Sequence, residues 1–301
     1  MLSAHSRRLR VISAHCGLVA HQQCQPSAPP ARENLFPSVC FQRQSAVTGL
    51  ASIDVSALDH FRREGFLVCR HAFPLPKVAA ALEAMMEMVS GTHAAFATAV
   101  KQAGASPQTG TVQADRMLYE RRFPERQLEP GVASLPEADQ KNPWFVRKLS
   151  GFIESDQRCL ALAQSQALLA AVQVLLGSGG DGGDVQLFQD MALLKPRRGT
   201  EKPWHQDMAY FNADVSTSIV GCWIALADCW PENACMRVLP RGHRIRNAGG
   251  FDEPHCRPHF NRRDWQLCDD DVASFVSQAV AVPLRAGDLL FFDGLIPHGE
   301  Y

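Results

Sequence analysis

In PWHQDMAYF (Pro203 to Phe211) a histidine and an aspartate stand two apart, bracketed by Trp204, Tyr210 and Phe211. On an extended backbone residues i and i+2 point to one side, so the His205 imidazole and the Asp207 carboxylate could grip one ion. The same spacing also fits a surface turn with an N-capping aspartate and a solvated histidine. A second metal-capable histidine, His298, follows GDLLFF and sits just past the strand expected there. Alone it also fits a turn histidine. Taken together, two histidines and one carboxylate form the ligand set of non-haem iron(II) oxygenases. Three protein ligands on one face leave the opposite face of the ion open to cosubstrate and O₂.

The elements that would carry these residues are legible on either side. VQLFQDMALLK (Val185 to Lys195), SIVGCWIAL (Ser218 to Leu226), MRVLP (Met236 to Pro240), AVAVPL (Ala279 to Leu284) and DLLFF (Asp288 to Phe292) read as strands. Helices come earlier. IDVSALDHFRREG predicts a short helix capped at Asp54 or Ser56 and stopped by Gly65, ahead of a strand from Phe66. PLPKVAAALEAMMEMVSG predicts another, opened by Pro76 and closed by Gly91, with Val78, Leu82, Met85 and Met86 at core-facing spacing. Asp156 to Leu176 reads as one or two further helices, and Ala103 to Asp115 as a loop. Helices followed by short strands argue for a mainly β barrel or sandwich with a helical buttress, not an alternating α/β sheet.

With 301 residues, 46 % of them hydrophobic, the chain can bury a substantial core. A net charge of −1 proposes neither nucleic acid nor an anionic membrane as a partner. No apolar run approaches the ~18 residues of a membrane span. Ten cysteines without a C-x-x-C pair read as reduced core residues, not as a disulfide framework or a zinc site. The opening differs in kind. It holds Arg7, Arg8, Arg10 and Arg32 and no acidic residue before Glu33, the composition of an organellar transit segment. RLRVISAHC (Arg8 to Cys16) also resembles the N-terminal peroxisomal signal, Arg-Leu, five residues, His-Leu, with Cys16 replacing the last leucine. Residues 1–50 are therefore expected to be a disordered targeting segment outside the fold, with 51–301 as one domain. The destination would be peroxisome, mitochondrion or plastid; without such a signal the chain would be cytoplasmic.

KPWHQDMAYF, GCWIALADCWPENACMRVLPRGHR and GDLLFFDGLIPHG follow in an order and spacing that resemble the phytanoyl-CoA dioxygenase family of iron- and 2-oxoglutarate-dependent oxygenases. Trp223, Ala225, Leu226, Asp228, Glu232, Asn233, Pro240 and His243 match its middle motif, while Ala234, Arg241 and Gly242 depart from it. FRREGFLVCRHAFP resembles the family's opening helix and strand, so the likeness runs from about Leu58 to Tyr301. It implies a double-stranded β-helix (jelly-roll, cupin-like) barrel behind N-terminal buttressing helices. It also implies iron(II) ligation by His205, Asp207 and His298, and a 2-oxoglutarate pocket lined by Met191 and Trp223 with Lys148 in contact. Lys195, expected on the strand face of Met191 and Gln189, is the alternative cation; His243 is expected to be structural. No residue is assigned a catalytic role beyond ligation.

The implied chemistry is hydroxylation of an unactivated C–H bond in a small molecule or acyl-CoA, coupled to decarboxylation of 2-oxoglutarate, with ascorbate a candidate reductant. The family also carries an arginine on a strand beyond the second histidine, whereas this sequence stops at Tyr301. A fragment lacking its last strand or strands is therefore expected, which puts the activity of the chain as written in question. The alternative is a non-catalytic family member that binds metal without holding cosubstrate productively. Zinc hydrolysis on the same triad finds no general-base motif such as H-E-x-x-H.

Overall fold

The structure is a computed structural model that describes residues 10–18, 46–97, 100–101, 124–136, 142, 145–177, 185–195, 199–208, 218–244, 257–258, 265–267 and 269–300. Its strands are β1 (Arg10–Leu18), β2 (Ala46–Thr48), β3 (Phe66–Arg70), β4 (Val100–Lys101), β5 (Glu125–Leu128), β6 (Val146–Ser150), β7 (Gln186–Leu194) and β8 (Lys202–His205). They continue with β9 (Ser218–Ala225), β10 (Met236–Val238), β11 (Arg257–Pro258), β12 (Trp265–Gln266), β13 (Val280–Ala281), β14 (Leu289–Asp293) and β15 (His298–Glu300). The helices are α1 (Val55–Glu64), α2 (Leu75–Ser90), α3 (Gln157–Ala163), α4 (Gln166–Leu175) and α5 (Asp269–Phe275). Nine strands form one sheet in the order β2-β3-β14-β9-β1-β7-β6-β5-β4, and four form a second, β13-β10-β15-β8. The fold is mainly β.

Two-sided burial sets this arrangement. Leu67 and Cys69 of β3, Cys222 and Ile224 of β9, and Leu289 and Phe291 of β14 enter a core shared with α1 to α4. Their sequence neighbours Phe66, Val68, Trp223, Leu290 and Phe292 enter a second core with Met236, Val238 and Ala281 of the smaller sheet. Successive strand residues point to opposite faces, so helices cover one side of the large sheet and the small sheet covers the other. This is why FLVC and LLFF are apolar at every position.

Local signals behave as their chemistry dictates. The Asp54 carboxylate caps α1 by accepting from the Ala57 N–H at 3.0 Å, and Gly65 ends it at φ 84°. Gly91 closes α2 at φ 76°, a left-handed conformation that glycine adopts without steric cost. The strand expected over Ala279 to Leu284 contracts to Val280–Ala281, because Pro283 has no N–H to offer a ladder.

One expectation is corrected. Residues 1–50 are not all outside the fold: Arg10–Leu18 forms β1 inside the large sheet, and Ala46–Thr48 forms β2 at its edge. Composition marks a segment as unusual but is blind to backbone pairing, which any extended segment can supply. Gln157–Leu175 has the length and apolarity of a membrane span by composition alone, a test that a core helix also passes. It is divided at Gln164 and Ser165 into α3 and α4, whose Cys159, Leu162, Leu168 and Val172 sit in the helix-side core. The loop expected at Ala103 to Asp115 lies outside the described residues.

Candidate metal centre

β8 serves two environments. Trp204 packs edge-on against Phe275 of α5, ring centroids 5.3 Å apart, and cation–π contact from Arg237 lies 5.9 Å from its ring. His205 points the other way, toward the large sheet. The aromatic bracket around the motif is thus, for Trp204, packing outside the site. Tyr210 and Phe211 lie outside the described residues. Just past His205 the chain is pinned to the turn that delivers His298. Gln206 Nε2 donates to the Leu295 carbonyl at 2.5 Å, and the Met208 N–H donates to the Gly294 carbonyl at 2.9 Å. That turn is itself held by the Asp293 carboxyl, which accepts from the Leu295 N–H at 2.8 Å.

The result is a buried cluster of His205, Asp207 and His298, whose ligand atoms all lie within 4.8 Å of one another. Asp207 Oδ1 sits 3.5 Å from His205 Nε2 and 3.6 Å from His298 Nε2. Each ring's Nδ1 lies near a carbonyl two residues upstream: Pro203 at 2.8 Å for His205, and Ile296 at 3.0 Å for His298. A carbonyl can only accept, so each Nδ1 carries the proton and each Nε2 lone pair faces the cluster centre. Burial pushes the His205 pKa down to about 3; nearby His298 and Lys202 add to this, while Asp207 opposes it. The ring is neutral at physiological pH, as a metal ligand must be. Two neutral imidazole nitrogens and one carboxylate, converging in a buried site, fit a divalent first-row metal such as iron(II).

The cluster forms one wall of a cavity between the sheets. Lys148 of β6, Gln189, Met191 and Leu193 of β7, Lys202 of β8, Met236 of β10 and Glu300 of β15 complete it. Glu300 is 1 % exposed and bonds Lys195 through Oε2; its Oε1 is buried without a hydrogen-bond partner among the described residues. A larger cavity of about 300 Å³ lies on the other face of the large sheet, against the helices, and is lined by none of His205, Asp207 and His298.

The expected site residues divide accordingly. His205, Asp207 and His298 come together, and Lys148 and Met191 line the same cavity. Trp223 does not; it is 1 % exposed within the apolar cluster that contains Met236, its indole N–H buried without a hydrogen-bond partner among the described residues. Lys195 is not among the lining residues either, being committed to Glu300. His243 hydrogen-bonds the Arg62 carbonyl at 3.0 Å and stands apart from the cluster, a structural position. Lys202 and Glu300 were missed. Their only sequence signal is proximity to the two histidines, three before one and two after the other.

Comparison with known proteins agrees with this geometry. Over 203 residues the chain is 26 % identical to the peroxisomal phytanoyl-CoA dioxygenase of Mus musculus, covering 63 % of this chain and 56 % of that one. The chain spans about half the length of the curated relatives it matches. Among solved structures it is similar to the non-heme α-ketoglutarate-dependent carbocyclase SnoK from nogalamycin biosynthesis, at TM-score 0.55 and 17 % identity over 85 % of this chain and 80 % of that one. It is likewise similar to EctD from S. alaskensis with 2-oxoglutarate and 5-hydroxyectoine, at TM-score 0.52 and 18 % identity over 82 % and 70 %. At such identities the likeness speaks to the fold. The profile of the phytanoyl-CoA dioxygenase family matches residues 61–299, an interval that holds β3 to β14 together with His205, Asp207 and His298, and the chain belongs to that family.

Proposed function

We propose that this protein is an oxygenase that uses iron(II) and 2-oxoglutarate to hydroxylate an unactivated C–H bond of a small molecule or acyl-CoA, on a jelly-roll scaffold. One observation carries the reading: the two-histidine, one-carboxylate cluster shares a cavity with two lysines, Lys148 and Lys202. Iron(II), when bound, supplies the activation of O₂ and the decarboxylation of the keto acid. The protein's part is positioning. His205 and His298 present Nε2 lone pairs in fixed directions because their Nδ1 protons are held by Pro203 and Ile296. Asp207 supplies the negative charge.

Lys148 and Lys202 bring ammonium groups to the cavity wall, where the distal carboxylate of a dicarboxylic acid would find a charge partner. Lys195 instead neutralises Glu300. Met191, Leu193 and Met236 supply the apolar part of the wall, beside the polar Gln189 and Glu300, and help exclude water from the reacting centre. The test is succinate formation by purified protein with iron(II), ascorbate and 2-oxoglutarate, together with anaerobic titration of 2-oxoglutarate into the iron-loaded protein. Turnover or saturable binding supports the reading. Stoichiometric metal with neither would make this a metal-binding, non-catalytic member of the family.

Targeting by the acid-free opening is the second part of the proposal. It is supported by Arg7, Arg8, Arg10 and the Arg8 to Cys16 resemblance, and a cytosolic location for a reporter fused to residues 1–40 would reject it.

A further inference from the structure

Gly294, Leu295, Ile296 and Pro297 join β14 to β15, and the carbonyl of each accepts a hydrogen bond. The Met208 N–H donates to Gly294 at 2.9 Å, and the Leu239 N–H donates to Pro297 at 3.0 Å. Gln206 Nε2 donates to Leu295 at 2.5 Å, and His298 Nδ1 donates to Ile296 at 3.0 Å. The two outer carbonyls are thus held by main chain and the two inner ones by side chains. One of those side chains, His298, is a candidate ligand. The other, Gln206, stands in the sequence between the remaining two, His205 and Asp207. Gln206 is 3 % exposed and does not line the cavity beside the cluster.

We infer that Gln206 is a positioning residue, which from the end of β8 fixes the tautomer and direction of the His298 ring on β15 and so the grip of the cluster on its metal. The inference rests on the reading of His205, Asp207 and His298 as a metal centre. The Leu295 carbonyl and the Ile296 N–H belong to one planar peptide unit. Gln206 holds its oxygen, and the Asp293 carbonyl accepts from its N–H at 3.0 Å. The next peptide unit carries the Ile296 carbonyl, the acceptor for His298 Nδ1. Both units pivot on the Ile296 Cα. Without the amide donor the first unit keeps one restraint of two, and its carbonyl is left facing a buried side chain that offers no hydrogen bond. A polar group in that position is disfavoured, so the unit turns to find another donor. Its rotation carries the Ile296 carbonyl away from Nδ1. The His298 proton is then no longer committed to Nδ1, nor the Nε2 lone pair to the cluster.

The two histidines differ in a way that makes this role visible. His205 Nδ1 meets the Pro203 carbonyl at 2.8 Å, on its own strand and without any atom of the β14–β15 connection. Its tautomer does not depend on Gln206. The Phe292 ring packs against the His298 ring, centroids 4.7 Å apart, which limits where that ring can lie. Packing of this kind does not choose which nitrogen carries the proton; the Ile296 carbonyl does. That carbonyl is main chain and cannot be exchanged. Gln206 is the side chain through which its direction can be altered while all three candidate ligands are kept.

The test is Gln206→Met in the full chain, which keeps the length of the side chain and removes the donor. Nitrogen NMR of the histidine rings in the metal-free protein reads the tautomers. His298 should pass from Nδ1–H alone to a mixture of Nδ1–H and Nε2–H, while His205 keeps the form it has in the parent. Cobalt(II) titration, followed by absorbance, should show affinity lower by roughly ten- to a hundredfold, the usual effect of losing the partner of a metal-bound histidine. An unchanged His298 tautomer would overturn the inference, as would a changed tautomer with unchanged cobalt(II) affinity. Equal changes in both rings would also overturn it, since they would report general loosening. Should Gln206→Met not fold, Gln206→Glu carries the same readouts, because an ionised carboxylate keeps the shape of the side chain but only accepts. A parent protein that takes up no cobalt(II) would reject the metal-centre reading, and the ring tautomers would still decide whether Gln206 positions His298.

Discussion

His205 and His298 are register partners across β8 and β15, with ring centroids 4.1 Å apart. Two strands far apart in the chain thus meet at the candidate ligands. The first prediction is that His205→Ala or Asp207→Ala abolishes stoichiometric iron(II) binding while leaving the circular dichroism spectrum close to that of the parent. Metal analysis of the purified variants checks it, and equal metal content in parent and variants would reject the assignment.

The two lysines lining the cavity and Lys195, which pairs with Glu300 of its wall, should behave differently. Charge-assisted hydrogen bonds contribute about 1.5–3 kcal/mol, so Lys148→Met or Lys202→Met should weaken 2-oxoglutarate binding by roughly ten- to a hundredfold. Lys195→Met should act on stability, because it strands the buried Glu300 carboxylate, and breaking a buried pair costs about 3–5 kcal/mol. Equilibrium titration of 2-oxoglutarate and denaturant melts of the same three variants separate the two effects.

A pH dependence follows from His205. Its folded pKa is about 3, below the ordinary value of 6.5, so between those limits the unfolded chain binds more protons than the folded one. Stability of the metal-free protein is complete above about pH 6.5 and declines as pH falls toward 3. His205→Asn removes this contribution and should flatten the decline. Denaturant midpoints at several pH values for both proteins check it; parallel curves would show that the ring does not titrate this way.

Gly221 of β9 lies under the Phe292 ring, where a Cβ would overlap the aromatic atoms. Gly221→Ala should destabilise the protein by about 1–3 kcal/mol, the usual cost of overpacking. Phe292 also packs against the His298 ring, centroids 4.7 Å apart, so the same substitution should weaken metal binding. A variant with unchanged melting and unchanged metal affinity would contradict both expectations.

Buried thiols should resist alkylation. Burial pushes Cys69 and Cys159 up to about 12, and Cys222 and Cys229 also well above the ordinary thiol value. In the native protein these four should stay unmodified by iodoacetamide under conditions that label all of them after denaturation, as read by peptide mass mapping.

The cluster of His205, Asp207 and His298 was legible in the sequence because its signal is local: a two-residue spacing, then one histidine after an apolar strand. The two-core strands β3, β9 and β14 were legible for a similar reason, as short apolar runs between turns. Lys202 was not. Residues three apart on a regular strand face opposite sides, so Lys202 and His205 would not be read as sharing a cavity. The structure pairs His298 with His205 and Glu300 with Lys202, matching two residues on β15 against three on β8 through a register shift. An irregularity of that kind has no signature in composition or periodicity. β1 escaped for a different reason, since its place depends on partners far along the chain and its own residues carry only generic strand character. Trp223 shows the converse, a motif position that the structure uses for packing.

The alternation along β7 constrains how this protein can change over generations. Gln189, Met191 and Leu193 line the cavity beside His205, Asp207 and His298, while Ala192 and Leu194 belong to the helix-side core. Between them Asp190 points toward the helices, accepting from the Gly151 and Ile153 N–H groups at 2.8 and 2.9 Å. A substitution at one of these positions touches one face. A single inserted or deleted residue in the strand would exchange the two sets at once, placing Asp190 in the cavity and Met191 against the Gly151 turn. Variation in this strand should therefore run through exchanges of side chain at constant length, and differences in length should collect in the connections on either side.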